Sequence, residues 1–147
     1  MHVKTRLDWK AKDAERHIMA DSRRRLDAAG MTLVSHAREK VSQLPPSSPG
    51  GYPAKRMGDF RKSIDYYLYP NKLGGRWGTN LKYGKFLELG TKPHKIVARR
   101  AKVLANKETG EVFGKEVEVS MEPRPWMSLT NKACRRKVKK LLTGKLT

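Results

Sequence analysis

Cysteine, acidic side chains and long apolar runs are all scarce in this chain, and each scarcity excludes something. The one cysteine, Cys134, cannot close an internal disulfide, so it fits a reducing cytoplasm. Its neighbours Arg135-Arg136-Lys137 would favour a thiolate, but no general base stands beside it, and a plain helix cysteine is expected. No apolar run approaches the ~18 residues of a membrane span. The N-terminus, Met1-His2-Val3-Lys4-Thr5-Arg6, has no apolar stretch of the kind that secretory signals carry. Gly-rich phosphate loops, paired carboxylates and His/Cys metal spacings are also missing. No enzyme, cofactor, metal or membrane partner is therefore expected. His17 and His36 read as solvated helix histidines, and His94 follows a proline on a bend with no second ligand or nucleophile near it in sequence.

The shortage of acids has the largest consequence. With 33 Lys+Arg against 14 Asp+Glu, the formal net charge is +19. Such a chain repels itself and seeks polyanions: DNA, RNA or an acidic protein surface. No recognised nucleic-acid motif accompanies the charge, so docking on an acidic protein stands as an equal reading. At 147 residues, 37% hydrophobic, the chain suits a single domain over 1–147 with one modest core.

Apolar and small residues recur at steps of three or four from Leu7 to Leu44: Ala11, Ala14, Ile18, Ser22, Leu26, Ala29, Leu33, Ala37 and Val41 lie between. The spacing predicts one buried helix face, with Asp8 as N-cap and a kink or break at Gly30, where glycine costs about 1 kcal/mol. A Pro-rich loop over 45–53 ends it. A helical turn over 59–63 then leads into a strand from Ile64 to Tyr69, with Ile64, Tyr66 and Leu68 on one face. The return strand is Arg76 to Asn80. Its aromatics have two readings, base stacking or half-buried packing, and packing is the more common use. Tyr83 to Leu89 reads as a short amphipathic helix whose inner face holds Tyr83, Phe86 and Leu87, closed by Gly90. Between Ile96 and Ser120 lies a basic segment, Arg99-Arg100-Ala101-Lys102, and a hairpin turning at 106–110. Its apolar residues are scattered, so it is expected to project from the core as an arm over about 92–123, free to pair with a neighbouring subunit. The last helix, Trp126 to Leu142, has an apolar side with Trp126, Leu129, Ala133, Val138, Leu141 and Leu142. Its other side is cationic, with Lys132, Arg135, Arg136, Lys137, Lys139 and Lys140, and is either DNA-facing or simply solvated.

Taken in order, several of these pieces resemble the neck-protein family of tailed bacteriophages, small tail components similar also to the minor tail protein Z group. The resemblance rests on Gly58-Asp59-Phe60-Arg61-Lys62-Ser63-Ile64, on Tyr83, Phe86, Glu88, Gly90 and Thr91, and on Pro93, His94 and Ile96. It continues through Val112, Phe113, Lys115 and Val117 to Pro125-Trp126. Many members have His-Pro-Gly before the closing Pro-aromatic, where this chain has Ser120-Met121-Glu122-Pro123. The resemblance implies a virion structural protein of the head–tail junction, made in the host cytoplasm and acting by protein contact. It implies a homo-oligomeric, hexameric or dodecameric, ring between the head-completion (connector) proteins and the tail tube or tail terminator. Non-specific contact with packaged DNA fits the charge. A tail terminator is the alternative within the class, and a free, non-specific nucleic-acid-binding protein the alternative outside it; a small nuclease or toxin-like enzyme is disfavoured. The expected fold is α+β: long N-terminal and C-terminal helices on a small, mainly antiparallel sheet with a projecting hairpin. The expected anchors are Phe60, Ile64, Tyr83, Phe86, Gly90, Pro125 and Trp126. The expected interface residues on the arm are Lys95, Arg99, Arg100, Val103, Val112, Phe113 and Val117.

Overall fold

The computed structural model of the chain describes residues 10–70, 72–99, 102–106 and 110–144. Within them the order is α1 (Ala11–Lys40), α2 (Asp59–Ser63), β1 (Ile64–Leu68), β2 (Gly75–Thr79), α3 (Tyr83–Leu89), β3 (Thr91–Val97), β4 (Leu104–Ala105), β5 (Val112–Gly114), β6 (Glu116–Met121) and α4 (Trp126–Thr143). The fold is α+β. Helices α1 and α4 pack together, beside three two-stranded antiparallel sheets, β1–β2, β3–β6 and β4–β5.

The core is small. Val34, Ala37 and Val41 of α1 meet Ile64 of β1 and Trp126 of α4, with Tyr52, Phe60, Tyr66, Trp77, Leu87 and Met127 packed around them. Trp126 is its centre. Phe60 and Trp77 each meet its ring edge-on, at centroid distances of 5.1 and 5.6 Å, an arrangement that the aromatic quadrupole favours. Burial of Trp126 and Ile64 contributes on the order of 2–3 kcal/mol each.

Helix α1 differs from its sequence reading in three ways. It runs unbroken through Gly30. A Cβ built on that glycine would lie 2.4 Å from Cδ2 of Tyr66, so the missing side chain makes room for a ring crossing the helix. The Tyr66 hydroxyl donates to Asp27 Oδ1 at 2.6 Å, one turn away. The helix also ends at Lys40, Val41 donating back to the Ala37 carbonyl, and Leu44 lies beyond it, 80% exposed. Lastly, the stripe is buried only in its second half. Ala29, Ala37 and Val41 are buried, while Ala11 is exposed and Ile18 is 64% exposed. The reason is the reach of its neighbours. Arg23 donates to the Pro70 carbonyl at the β1–β2 turn, and Arg25 to the Gly144 carbonyl just past α4. Earlier turns extend past both elements. Leu7 and the expected cap Asp8 lie outside the described residues; Lys10 occupies the N-cap without a side-chain bond.

The arm is longer than a single hairpin. It begins at Thr91, where β3 pairs with β6, and the shorter β4–β5 pair lies farther out. His94 is therefore in a strand, opposite Val119, not on a bend. The register shifts between Thr91 and His94, where Pro93 has no N–H to give to the ladder. Every residue of β3 after Thr91 is exposed.

Candidate functional site

The elements converge at the root of the arm. Gly90 ends α3 with φ 72°, and a Cβ there would lie 2.6 Å from the Met121 carbonyl oxygen. Only a glycine lets the outgoing and returning limbs come this close. Thr91 then faces Met121 across the ladder, its Oγ1 accepting the Met121 N–H at 3.0 Å.

The returning limb is fastened within a few residues. The Arg124 N–H donates to the Leu87 carbonyl at 2.7 Å. The Glu88 carboxylate caps α4 from 39 residues away: Oε2 accepts the Met127 N–H at 2.8 Å, and Oε1 accepts the Ser128 N–H at 3.0 Å and its hydroxyl at 2.6 Å. These bonds satisfy N–H groups that no helical carbonyl reaches and set a negative charge at the helix's positive end, worth about 1–2 kcal/mol as caps go. Pro125 precedes the first helical residue, and the Trp126 indole N–H donates to the Gly84 carbonyl at 3.2 Å. The Pro-rich loop docks on the same spot. Arg124 donates to Ser47 Oγ at 2.8 Å, and the Gly50 N–H to the Pro123 carbonyl at 2.9 Å.

Of the expected anchors, Ile64 and Trp126 are 0% and 1% exposed, and Phe60 is half-buried between Trp126 and Tyr83. Phe86 and Tyr83 depart from the sequence reading: they are 50% and 43% exposed. Helix α3 turns Gly84 and Leu87 inward, because Gly84 sits tightly against Thr79, where a Cβ would lie 2.3 Å from the threonine methyl. Tyr83, Phe86 and Leu89, at steps of three, then share an exposed face.

On the arm, Lys95, Arg99, Val103, Val112 and Phe113 are exposed, Val117 is half-buried, and Arg100 lies outside the described residues. Lys95 pairs with Glu116 across the ladder at 3.3 Å, an exposed contact of small energetic weight. On α4, Arg135, Arg136, Lys137, Lys139 and Lys140 are all exposed. The buried line of α4 is Trp126, Thr130 and Cys134, spaced by four, while Ala133 and Leu142, expected on the apolar side, are exposed. Sequence reading passed over Thr130 because its hydroxyl is polar; here it donates to the Trp126 carbonyl at 2.7 Å. Burial pushes the Cys134 thiol above its ordinary pKa, with Lys137 opposing. The thiol is therefore a poor nucleophile.

A cleft of about 640 Å³ opens beside the root, with Pro45, Met57, Phe60, Tyr83 and Leu87 on its walls and Arg61 among its cations. Nothing in the sequence signalled it, since the loop, α2 and α3 that line it are joined only by folding. Among the described residues, no three His, Cys, Asp or Glu side chains are grouped to hold a metal ion, and no helix is long and apolar enough to cross a membrane. Comparisons with protein-family models, with curated proteins and with solved structures give no match to this chain.

Proposed function

We propose that this chain is a structural subunit of the head–tail junction of a tailed bacteriophage, a neck or tail-completion protein. It would assemble as a homo-oligomeric ring joining the head connector to the tail tube. The observation that carries the reading is the arm: an exposed, apolar-tipped double ladder fastened rigidly at its root. The residues of the motif series do the fastening. Glu88, Gly90, Thr91 and Trp126 are distributed over 39 positions, yet they bond within one junction. A fold that spends its most constrained residues on aiming an exposed arm is suited to contact with another protein. A position as tail terminator uses the same geometry.

The cationic face of α4, with Arg135, Arg136, Lys139 and Lys140 exposed, favours a second reading, a free non-specific nucleic-acid binder. In the ring, that face would meet packaged DNA or an acidic partner. Electron microscopy of purified protein separates the two: closed rings support the junction subunit. Monomers that bind nucleic acid without assembling support the second reading. Hydrolysis of nucleic acid or nucleotide abolished by His94→Ala would contradict both.

A further inference from the structure

The aromatic residues of β1 and β2 can pack inward or stack on a ligand, and the structure divides them by face. Tyr66 and Trp77, paired across the ladder, lie against the core. Tyr67 and Arg76 form the next pair and stand on the opposite face, which Ile64 and Leu68 do not share. Tyr67 is 51% exposed there. The Tyr69 ring meets it edge-on, with centroids 6.1 Å apart and planes at 75°. Arg76 Cζ lies 5.7 Å from the Tyr67 centroid, and Lys72 Nζ lies 4.6 Å from that of Tyr69.

Cations outnumber acids around these rings. Arg23 of α1 reaches the same turn and donates to the Pro70 carbonyl. From Ile64 to Asn80 the sequence holds Lys72 and Arg76 against a single acid, Asp65. Asp65 shares the face of Tyr67 but lies toward the far end of β1, roughly 7 Å along the strand, and its Oδ1 accepts the Tyr66 N–H at 2.9 Å. Rings and cations set side by side in water, with no aliphatic side chain of either strand among them, fit a ligand that is itself planar, aromatic and anionic. An acidic protein surface would meet the cations and leave Tyr67 without a partner. A duplex would do the same, because its bases stack on one another. Unpaired nucleotides offer both groups at once.

We propose that the outer face of the β1–β2 hairpin binds single-stranded nucleic acid, an unpaired base stacking on Tyr67 while Arg76 and Lys72 meet the flanking phosphates. The site uses none of the α4 cations, and it stands whether or not the chain forms a ring.

The test compares, by fluorescence anisotropy of the full chain at physiological salt, a labelled oligo(dT) with a duplex of the same length. Charge alone favours the duplex, whose phosphates are the more densely spaced; stacking reverses the order. The expected result is tighter binding of oligo(dT). Tyr67→Thr keeps a strand-forming residue and removes the ring. It should weaken oligo(dT) binding by about fivefold or more, the low end for one stacked base, and leave duplex affinity unchanged. Tyr67→Phe should bind oligo(dT) as the unaltered chain does. A duplex bound as tightly as oligo(dT), or more tightly, overturns the proposal. So does a folded Tyr67→Thr variant that loses nothing, or that loses both ligands alike, since the ring would then serve only the hairpin. Should Tyr67→Thr fail to fold, the comparison of the two ligands on the unaltered chain decides.

Discussion

At the scale of single residues, the informative positions are those where a side chain is missing or reaches far. Gly30→Ala should destabilise the protein although alanine is the better helix former. The gain in propensity is about 1 kcal/mol, but the new methyl meets a Tyr66 ring whose hydroxyl is tied to Asp27 at 2.6 Å, and overpacking costs ~1–3 kcal/mol. The net loss is about 1 kcal/mol, so thermal melts should fall by roughly 2–4 °C, at ~2–4 °C per kcal/mol for this size; a rise would show that the ring moves aside freely. The same tyrosine gives a pH prediction. The hydrogen bond to Asp27, followed by burial and the charges of Asp27 and Asp65, raises the Tyr66 pKa above 10.0. The hydroxyl is then more protonated when folded than when unfolded, so its stabilisation is complete below pH 10 and is lost as pH rises through the folded value. Stability should fall more steeply above pH 10 than in Tyr66→Phe, measured by denaturant titration. Equal alkaline slopes would show that the bond is not made in solution.

Gly30 also shows what sequence could and could not supply at this scale. Its cost in a helix was plain, and a break was the natural reading. That a tyrosine 36 positions later would fill the gap depends on tertiary packing, which no local pattern encodes. Glu88 is similar. It stands in a recognisable segment, but its capping role depends on a helix whose first turn lies 39 residues away.

Among the elements, periodicity placed the two long helices and the β1–β2 hairpin well, because each alternates or repeats over enough residues to leave a pattern. Burial was harder to read. The α1 stripe is regular from end to end, yet only the half beside β1 and α4 is covered, since a stripe records what a helix can bury and not how far its neighbours extend. In α3, the spacing over seven residues put Tyr83 and Phe86 on the inner face with Leu87, and the fit of Gly84 against Thr79 turns those two rings outward instead. The arm provides the prediction for this scale. Its strands pair with one another, so replacing residues 95–120 by a short Gly/Ser loop should leave helical circular dichroism and a cooperative melt intact. Loop closure depends weakly on length, at about 0.6 kcal/mol per doubling. Loss of cooperative unfolding would show that the arm belongs to the core.

The whole molecule is governed by its charge and by the arm. At +19, it should bind duplex DNA of any sequence, and affinity should fall steeply from low to physiological salt as counterion release weakens. Fluorescence anisotropy with two unrelated duplexes checks this. Sequence-selective binding that survives high salt would favour the free nucleic-acid binder over a junction subunit. In the proposed reading the arm makes the opposite demand, for protein contact, and the central claim rests on it. The most direct measurement is the solution mass, by size-exclusion chromatography with light scattering, of the full chain and of the arm-trimmed variant over a range of concentrations. The account predicts a closed oligomer for the full chain, of fixed mass corresponding to a hexamer or dodecamer, and a folded monomer for the trimmed one. A full chain that stays monomeric, or a trimmed chain that assembles unchanged, would contradict it.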